Sequence, residues 1–425
     1  MLEVTVWNVI MESITLNSIK VQSNLLLFDF TPSAGLQKYF KTDSMFVEYE
    51  DDMTSVPLSI LTIPFVNIMA GFMWMSDCVL FVDEIDETYY HSLKDIKSAF
   101  RELHQYVDLK GVLVPSKIIR NVIPSSDNAI LLFGGGVDCH SSFLRHKDKI
   151  PFILNIYGWL DSVEEPNAVD KSDKQQTEEY AVSMGVQALH VRSNFAALFD
   201  LNALDKSFTH PLIHSSYWYA FLHPMAFLSV ATPLGWTHGI STIMIASSFT
   251  KGRLGVKCAS YITTDSEYRF ATNGATVHDA FELNRQDKVA LIADYQKISA
   301  KPYKIQACSF NDHNCCECEK CFRTIVELVA ENADPRNFGF DIKGSLRDHW
   351  KQVVDRDVAL WGPHKEFYYY NVAAKKMRDN YDQINDKEFV DWFLSCDFFA
   401  MKKKALRSYY ITNIWNILKR KLHIN

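Results

Sequence analysis

The sequence predicts an α/β protein built on a doubly wound parallel sheet, and two observations support this. From Asn128 onward, short apolar runs alternate with amphipathic stretches, which is typical of strand–helix–strand units. Four of the apolar runs end in glycine or polar residues, at Gly134–Cys139, Tyr157–Gly158, Arg192–Asn194 and Ser247–Ser248. Ligands of such sheets bind beyond the carboxyl ends of the strands. We therefore take Tyr157, Gly158 and Ser247 as candidate ligand-binding residues, together with the glycines.

At 425 residues the chain is long for a single core, so several domains are expected. We predict a β-rich N-terminal domain over residues 1–125, an α/β domain over 126–330 and a helical extension over 331–425. The hydrophobic fraction of 48% and the charged fraction of 22% are those of a folded globular protein. The net charge of −7 argues against a nucleic-acid partner, because sequence-independent binding requires a basic surface.

The N-terminal domain is predicted from short β-branched or aromatic runs at Val4–Ile10, Asn24–Phe30 and Val79–Val82, followed by a helix over Tyr89–Val107. No chemical motif occurs in this part of the chain, which favours an accessory or dimerisation role, and a homodimer is one expectation. Met1–Ile10 contains an acid and no basic residue, so no secretory signal is predicted and a cytoplasmic location is expected.

Two long runs without charged residues have two interpretations. Ser207–Thr250 contains no acid, lysine or arginine, and the apolar part of Met53–Ser76 is interrupted by two prolines and a glycine. Either run is long enough to cross a membrane, but buried core helices and strands have the same composition. The prolines of both runs and the histidines of the second favour a buried core.

The helices and strands of the central domain are predicted from periodicity. We expect strands at Ala129–Phe133, Phe152–Ile156, Leu189–Val191 and Ile240–Ala246, and helices at Asp170–Met184 and His214–Ala231. A further helical stretch is predicted from two segments, Thr276–Asp279 and Asn284–Lys288. In the last of these, Arg285 and Lys288 lie one turn apart and could hold a pyrophosphate. The simpler interpretation is a solvated helix face with Asp287 as the ionic partner, and we favour it.

The glycine-rich stretch after the first of these strands, NAILLFGGGVDCHSS over Asn128–Ser142, predicts a strand, a tight turn and the start of a helix. Glycines let backbone N–H groups approach a ligand, and a helix N-terminus favours an anion, most commonly a phosphate. The stretch is neither a Walker A loop nor a dinucleotide fingerprint, because it lacks both the Gly-Lys-Ser/Thr sequence and the required glycine spacing. An ordinary connection between strand and helix is the alternative.

Gly134–Cys139 resembles the Ser-Gly-Gly-x-Asp-Ser pyrophosphate loop of the N-type ATP pyrophosphatases, the PP-loop family. Gly134 and Cys139 stand where that pattern has serines, and Ser141 and Ser142 are the nearest replacement hydroxyls. The resemblance implies an ATP-binding domain of the kind that this family shares with other nucleotide-binding α/β proteins (the HUP class). It implies ATP binding by Gly134, Gly135, Gly136, Val137 and Ser141. Asp138 is the candidate for Mg²⁺ or for fixing the loop, and Cys139 is either a nucleophile or a small residue that fills the loop.

A cysteine cluster is the most specific motif in the chain, since five of the nine cysteines fall between Cys308 and Cys321. Cys315, Cys318 and Cys321 form two successive Cys-x2-Cys steps, and Cys308 is the obvious fourth zinc ligand. Four protein ligands predict a structural zinc. An iron–sulfur cluster, His313 as a substitute ligand and a chance grouping of thiols are the alternatives.

A PP-loop followed by four such cysteines and an arginine, Arg323, resembles the 7-cyano-7-deazaguanine synthase family over about Asn128–Thr324. In that family the four cysteines bind zinc and the loop binds ATP. The resemblance implies an ATP- and Mg²⁺-dependent ligase that adenylates a deazaguanine-like carboxylate to form an amide or nitrile. This chain is longer than that family's members, and enlarged relatives occur in antiphage defence operons, acting on a protein partner, and in surface-polysaccharide clusters. A catalytically weakened nucleotide-binding module is the further alternative.

The C-terminal extension is aromatic-rich and mostly helical by periodicity. Its last stretch, Met401–Asn425, carries seven lysines or arginines and no acid. Such a segment could contact an acidic protein, a nucleic acid or a membrane surface, or it could be a helix that packs on the domain.

Overall fold

The computed structural model describes residues 11–105, 107–159, 168–208, 215–253, 255–299, 302–308, 313–361 and 367–407. The chain divides into two compact units. The first contains Met1–Gly134 and Arg145–Glu282, and the second contains Gly135–Leu144 and Leu283–Asn425. This division falls at different places from the predicted boundaries at residues 125 and 330, which stay predictions.

Within the described residues, every strand belongs to the first unit. They are β1 (Ser13–Gln22), β2 (Leu25–Pro32), β3 (Ser44–Glu48), β4 (Val79–Asp86), β5 (Val112–Ile119), β6 (Ala129–Leu132), β7 (Phe152–Tyr157), β8 (Gln187–Ser193), β9 (Thr242–Ala246), β10 (Arg269–Phe270) and β11 (Gly274–Asp279). Its helices are α1 (Leu58–Leu61), α2 (Ile63–Ser76), α3 (Glu87–Leu103), α5 (Ala168–Met184), α6 (Leu201–Phe208), α7 (His223–Thr237) and α8 (Ile262–Asp265), and a π-helical turn over Trp218–Leu222 leads into α7.

All eleven strands belong to one mostly parallel sheet, in the order β10-β11-β9-β6-β7-β8-β3-β2-β1-β4-β5, so the predicted α/β class is confirmed. The strands of the N-terminal part continue this sheet, because β3 pairs antiparallel with β8, with Val47 opposite Ser193. In the parallel block, β6 lies between β7 and β9, with Ile130 opposite both Phe152 and Ile243. Strand order therefore reverses at β6, which places a topological switch point between β6 and β9, where sheets of this kind bind ligands.

Two helices of the first unit account for the two uncharged runs. Helix α2 is buried from Ile63 to Trp74, and α7 is buried over most of its length. The side-chain amide of Asn67 donates to the Met225 carbonyl oxygen, so a buried polar pair joins the two helices. In the part of the chain that the structure describes, Leu58–Ser76 is the single segment apolar and long enough to cross a membrane, and 89% of it is buried inside the protein. This burial is expected of a core helix.

The first part of one predicted helical stretch is wrong, and its second part, from Arg285, is confirmed. Residues 276–279 lie in β11, where Thr276 pairs with Ile243 of β9 in parallel register. The helix after it begins only at Arg285, because Asn284 and Asp287 cap each other's backbone N–H groups. Four residues are too few to separate a strand period from a helical one, and the β-branched pair Thr276–Val277 suits a strand. The predicted strand at Val4–Ile10 lies outside the described residues.

The second unit is helical. Its helices are α4 (Val137–His146, whose last two residues belong to the first unit), α9 (Arg285–Ser299), α10 (Glu319–Ala330), α11 (Leu346–Asp357), α12 (Phe367–Asp379) and α13 (Lys387–Ser395), and residues 398–407 are also helical. Phe322 of α10 is the centre of an aromatic core, with ring contacts to Trp350, Trp361, Tyr370, Trp392, Phe393 and Phe398. The described part of the C-terminal extension thus supports α10. Most of the basic stretch, residues 408–425, lies outside the described residues.

Candidate functional site

The turn before α4 requires glycine at one position. Gly135 has a φ of 70°, a conformation that L-residues with a side chain rarely adopt, and a Cβ there would lie 3.0 Å from the Cβ of Gln306. The Gln306 N–H donates to the Gly135 carbonyl oxygen over 2.8 Å, so the two backbones approach closely. Gly134 has no such requirement, since a Cβ there would meet no atom within 4 Å. The predicted tight turn is therefore present, and Gly135 is its constrained position.

The polar side chains at the start of α4 contact its own backbone. The Cys139 thiol is buried and donates to the Gly136 carbonyl oxygen over 3.1 Å. The hydroxyl of Ser141, also buried, donates to the Asp138 carbonyl oxygen over 2.8 Å. This geometry matches the expectation that Cys139 fills the loop. The roles predicted for Val137, which is buried, and for Cys139 and Ser141 in ligand binding stay predictions.

Two cations of α9 meet the carboxylate of Asp138. Lys288 Nζ lies 2.9 Å from Asp138 Oδ1, and Arg285 Nη1 lies 3.7 Å from Oδ2. Lys288 is 1% exposed, so the expected solvated helix face is wrong: α9 turns these cations inward, and the Asp287 carboxylate instead accepts a hydrogen bond from the Asn284 N–H at the start of the helix. Burial by itself raises the pKa of Asp138, but Lys288 and Arg285 outweigh it, and the pKa lies below its ordinary value. Asp138 is thus a carboxylate held between cations.

Helix α10 holds Arg285 in place. Arg285 Nε donates to Glu327 over 2.9 Å, and Nη2 donates to the Thr324 hydroxyl over 3.0 Å. Burial raises the pKa of Glu327, against the opposing effect of Arg285.

Two further cations, Lys320 and Arg323, lie on α10. Burial lowers the pKa of Lys320, and the positive charges of Arg323 and Arg285 lower it further. A lysine whose pKa is lowered by neighbouring arginines lies in an electropositive environment. Lys288, Arg285 and Arg323 therefore act together on the Asp138 carboxylate, and Lys320 feels the charges of the two arginines.

A histidine that sequence reasoning missed supports the glycine turn. His140 Nδ1 lies 2.9 Å from the Tyr303 hydroxyl, and the ring also makes a hydrogen bond to the Gly135 backbone. Burial lowers the pKa of His140 to about 3, so the ring is uncharged at neutral pH. Its position directly after Cys139 was the available signal, but its partners lie far along the chain.

The cysteine cluster has the geometry of a metal site. The sulfurs of Cys308, Cys315, Cys318 and Cys321 all lie within 4.8 Å of one another, and those of Cys315 and Cys321 are 3.9 Å apart. Thiolates about 2.3 Å from a tetrahedral zinc are separated by about 3.8 Å. Hydrogen bonds from the Cys321 thiol lower the pKa of Cys318 to about 5, so at least one ligand is readily deprotonated. Four close cysteines could thus bind a metal such as zinc.

Cys316 lies outside this group, and its thiol donates to the Asn314 carbonyl oxygen. Asn314, a second residue that sequence reasoning missed, shapes the ligand loop. Its Oδ1 accepts from the N–H of Cys308, and its Nδ2 donates to the carbonyl oxygens of Ile305 and Gly339. One buried amide therefore ties together the two chain segments that carry the ligands.

Helix α10 connects two groups of residues. The metal group is Cys308, Cys315, Cys318 and Cys321, and the cation group is Lys288, Arg285, Arg323 and Lys320. Cys321 lies in the first turn of this helix, and Thr324 and Glu327, which hold Arg285, follow one and two turns later. A metal bound by Cys321 would therefore fix the end of the helix that orients Arg285. The spacing of the cysteines predicted the first group, but nothing local predicted its connection to the second.

The remaining predicted residues lie in the first unit. Gly134 follows β6, Tyr157 ends β7, and Gly158 has a φ of 75°. Ser247 follows β9, and its buried hydroxyl donates to the Phe249 carbonyl oxygen over 2.7 Å. These parallel strands end at one edge of the sheet, so the structure brings the four positions to the same edge. The other predicted residues, from Gly135 to Ser141 and the four cysteines, belong to the second unit.

No protein-family model matches this chain, and no curated protein shows significant sequence similarity to it.

Proposed function

We propose that this chain is an ATP-dependent enzyme that activates a carboxylate by adenylation, in the manner of the N-type ATP pyrophosphatases that its glycine loop resembles. One observation carries the proposal. Lys288 and Arg285 pair with Asp138, and the positive charge of Arg323 also acts on this carboxylate, beside a constrained glycine turn and a helix N-terminus. Cations placed at the positive end of a helix repel one another and the helix dipole, so a multiply charged anion would stabilise the arrangement.

In this reaction the side chains mainly position ATP and the substrate and stabilise the charge on the leaving pyrophosphate. A substrate carboxylate oxygen attacks the α-phosphorus of ATP and forms an acyl-adenylate, while the bond to the β-phosphate oxygen breaks and pyrophosphate leaves. Ammonia or an amine then attacks the acyl carbon and forms an amide, losing a proton as AMP departs. The cations are suited to stabilising the charge on the leaving pyrophosphate. A second activation of the amide would give a nitrile.

The resemblance to the 7-cyano-7-deazaguanine synthases motivates a deazaguanine-like carboxylate as the substrate. Mg²⁺ would accompany ATP and neutralise phosphate charge. Asp138 is already ion-paired with Lys288 and Arg285, so its carboxylate suits fixing the loop better than binding Mg²⁺. The four cysteines suit a structural zinc, since they would leave no ligand position open for catalysis.

We also propose a biological context for this enzyme. The resemblance to enlarged relatives makes antiphage defence the preferred context, with a protein from the same operon as acceptor and a cytoplasmic location. A tailoring step in a surface-polysaccharide cluster is the other context. A homodimer formed through the N-terminal part stays a prediction.

A nucleotide-binding module without turnover is the second candidate, and one observation favours it. Gly134 has no side chain, and the Cys139 thiol donates to the Gly136 carbonyl oxygen, so neither position supplies the hydroxyl found in the family loop.

The discriminating experiment is ATP–pyrophosphate exchange with 7-carboxy-7-deazaguanine, with ammonium added to follow AMP and pyrophosphate as products. The wild type should release both, and Lys288→Met should lower the rate at least about 100-fold, because it removes a positive charge that would stabilise the leaving pyrophosphate. Lys297→Met is the matched control, since Lys297 lies on the same helix and its side chain is 49% exposed. ATP binding without pyrophosphate release, with or without the neighbouring gene product, would support the module instead.

A second variant distinguishes a loop that has lost catalytic strength from a loop that is adapted to this protein's own substrate. A Cβ at Gly134 meets no atom within 4 Å, so Gly134→Ser combined with Cys139→Ser restores the family hydroxyls without a clash at Gly134. Higher turnover would indicate a weakened loop, and lost turnover would indicate that the present residues are adapted to this substrate.

A further inference from the structure

Three metal-ligating side chains that the proposed function does not use converge in the first unit. They are Glu50, just after β3, Glu178 of α5 and His190 of β8. One ligand atom from each lies within 4.8 Å of the other two. Glu50 lies far from the other two residues in the sequence, so no local sequence pattern predicts that the three form a group.

His190 supplies an independent reason to expect a ligand. It is 3% exposed, and neither of its ring nitrogens has a hydrogen-bond partner. Its Nε2 lies 3.6 Å from the Glu178 carboxylate, which is too far for a hydrogen bond. Buried polar atoms without a partner cost about 1–3 kcal/mol each, so native proteins usually satisfy them. A neutral imidazole with an unpartnered ring nitrogen has a lone pair that can coordinate a metal ion.

A fourth donor group lies on the strand next to this histidine. Asn155 of β7 is the register partner of His190, and paired residues of parallel strands project on the same face. Asn155 is buried, and its Oδ1 also has no hydrogen-bond partner. Two neighbouring side chains with unsatisfied buried atoms thus lie on one face of the sheet.

We propose that Glu50, Glu178 and His190 form a divalent-cation site suited to Mn²⁺, with Asn155 as a further oxygen donor. One imidazole and two carboxylates form a mixed nitrogen and oxygen set, which suits Mn²⁺ better than the soft thiolate group does. Neighbouring ligands about 2.1 Å from an octahedral cation are about 3.0 Å apart at a right angle. The 3.6 Å between His190 and Glu178 is about 0.6 Å wider, so a small side-chain movement would bring both onto one ion. The site does not depend on the proposed nucleotide chemistry.

Lys174 is the competitor for this site. Its ammonium pairs with the Glu50 carboxylate, and both side chains are partly exposed. Such pairs contribute little to stability, so a divalent cation can displace the ammonium. This ion pair distinguishes a cation site from a purely structural cluster. Removing Lys174 should strengthen metal binding if Glu50, Glu178 and His190 bind a cation, and it should have no such effect if they are only structural.

The test is Mn²⁺ binding to the full-length, zinc-loaded protein without nucleotide, followed by electron paramagnetic resonance. Zinc saturates the cysteines first, so that Mn²⁺ reports on the mixed site. We expect one bound Mn²⁺ with ¹⁴N coupling from the imidazole, and at least about tenfold weaker binding in Glu178→Gln. Glu179→Gln is the matched control, since this neighbouring exposed residue undergoes the same charge change; its affinity should stay within about twofold of wild type.

Two further variants sharpen the result. Lys174→Gln should bind Mn²⁺ several-fold more tightly than wild type, and Asp138→Asn should bind it as wild type does, which excludes the cation group as the source of the signal. Glu178 is 51% exposed, so its variant should fold even where a His190 variant does not. Unchanged Mn²⁺ affinity in Glu178→Gln, or bound Mn²⁺ without ¹⁴N coupling, would overturn the proposal.

Discussion

Replacing Lys288 with methionine is the sharpest test of the cation group. The change keeps the length of the side chain but removes the charge that lies 2.9 Å from Asp138. Taking one partner from a fully buried ion pair costs about 3–5 kcal/mol. Asp138 is 25% exposed and keeps Arg285 at 3.7 Å, so we expect a smaller loss of about 2–3 kcal/mol in the free energy of unfolding.

The pH dependence gives this prediction its sign. The pKa of Asp138 lies below its ordinary value in the folded wild type. Its contribution to stability is therefore full above the unfolded pKa of about 3.9 and is lost as the pH falls through the folded pKa. Without Lys288, burial should raise the pKa of Asp138. The stability difference between wild type and Lys288→Met should then shrink as the pH falls toward the unfolded pKa of about 3.9, because the variant's carboxylate becomes protonated before that of the wild type.

Urea denaturation of the zinc-loaded protein, followed by circular dichroism at several pH values, measures both effects. Lys297→Met is the control and should change the free energy of unfolding by less than about 0.5 kcal/mol, because its ion pair with Asp294 is exposed. Asp138→Asn in the Lys288→Met background should recover part of the loss. An equal loss in both lysine variants, or additive losses in the double variant, would refute the inferred pairing.

The metal group and the glycine turn offer further matched pairs of variants. Cys318→Ser should reduce bound zinc well below one ion per chain and lower the thermal midpoint, whereas Cys316→Ser should keep the ion. Elemental analysis and thermal melts measure the two effects. Equal zinc contents in the two variants would contradict the four-cysteine group. Gly135→Ala should cost about 1–2 kcal/mol, because of its positive φ and the nearby Gln306 Cβ. Gly134→Ala should cost less than about 0.5 kcal/mol in the same urea assay, and the reverse order would contradict the turn geometry.

Interactions between residues close in sequence could be predicted without coordinates. The spacing of Cys315, Cys318 and Cys321 indicated a metal group, because a Cys-x2-Cys turn limits how far apart two sulfurs can lie. The glycines of residues 134–136 predicted a tight turn for a similar reason, since a positive φ excludes most side chains. Where the local signal was short, as at residues 276–279, the prediction of a helix was wrong because strand pairing decided the outcome.

The sequence by itself therefore determined the α/β class, the turn before α4 and the four-cysteine group, since each follows from residue types over a few positions. The tertiary structure alone decided that the N-terminal strands extend the same sheet through β3 and β8. It also decided that Lys288 meets Asp138, 150 residues away, rather than Asp287 beside it. Burial and opposite charge select such partners, and both are properties of the folded chain, which is also why the group of Glu50, Glu178 and His190 has no counterpart in the sequence pattern.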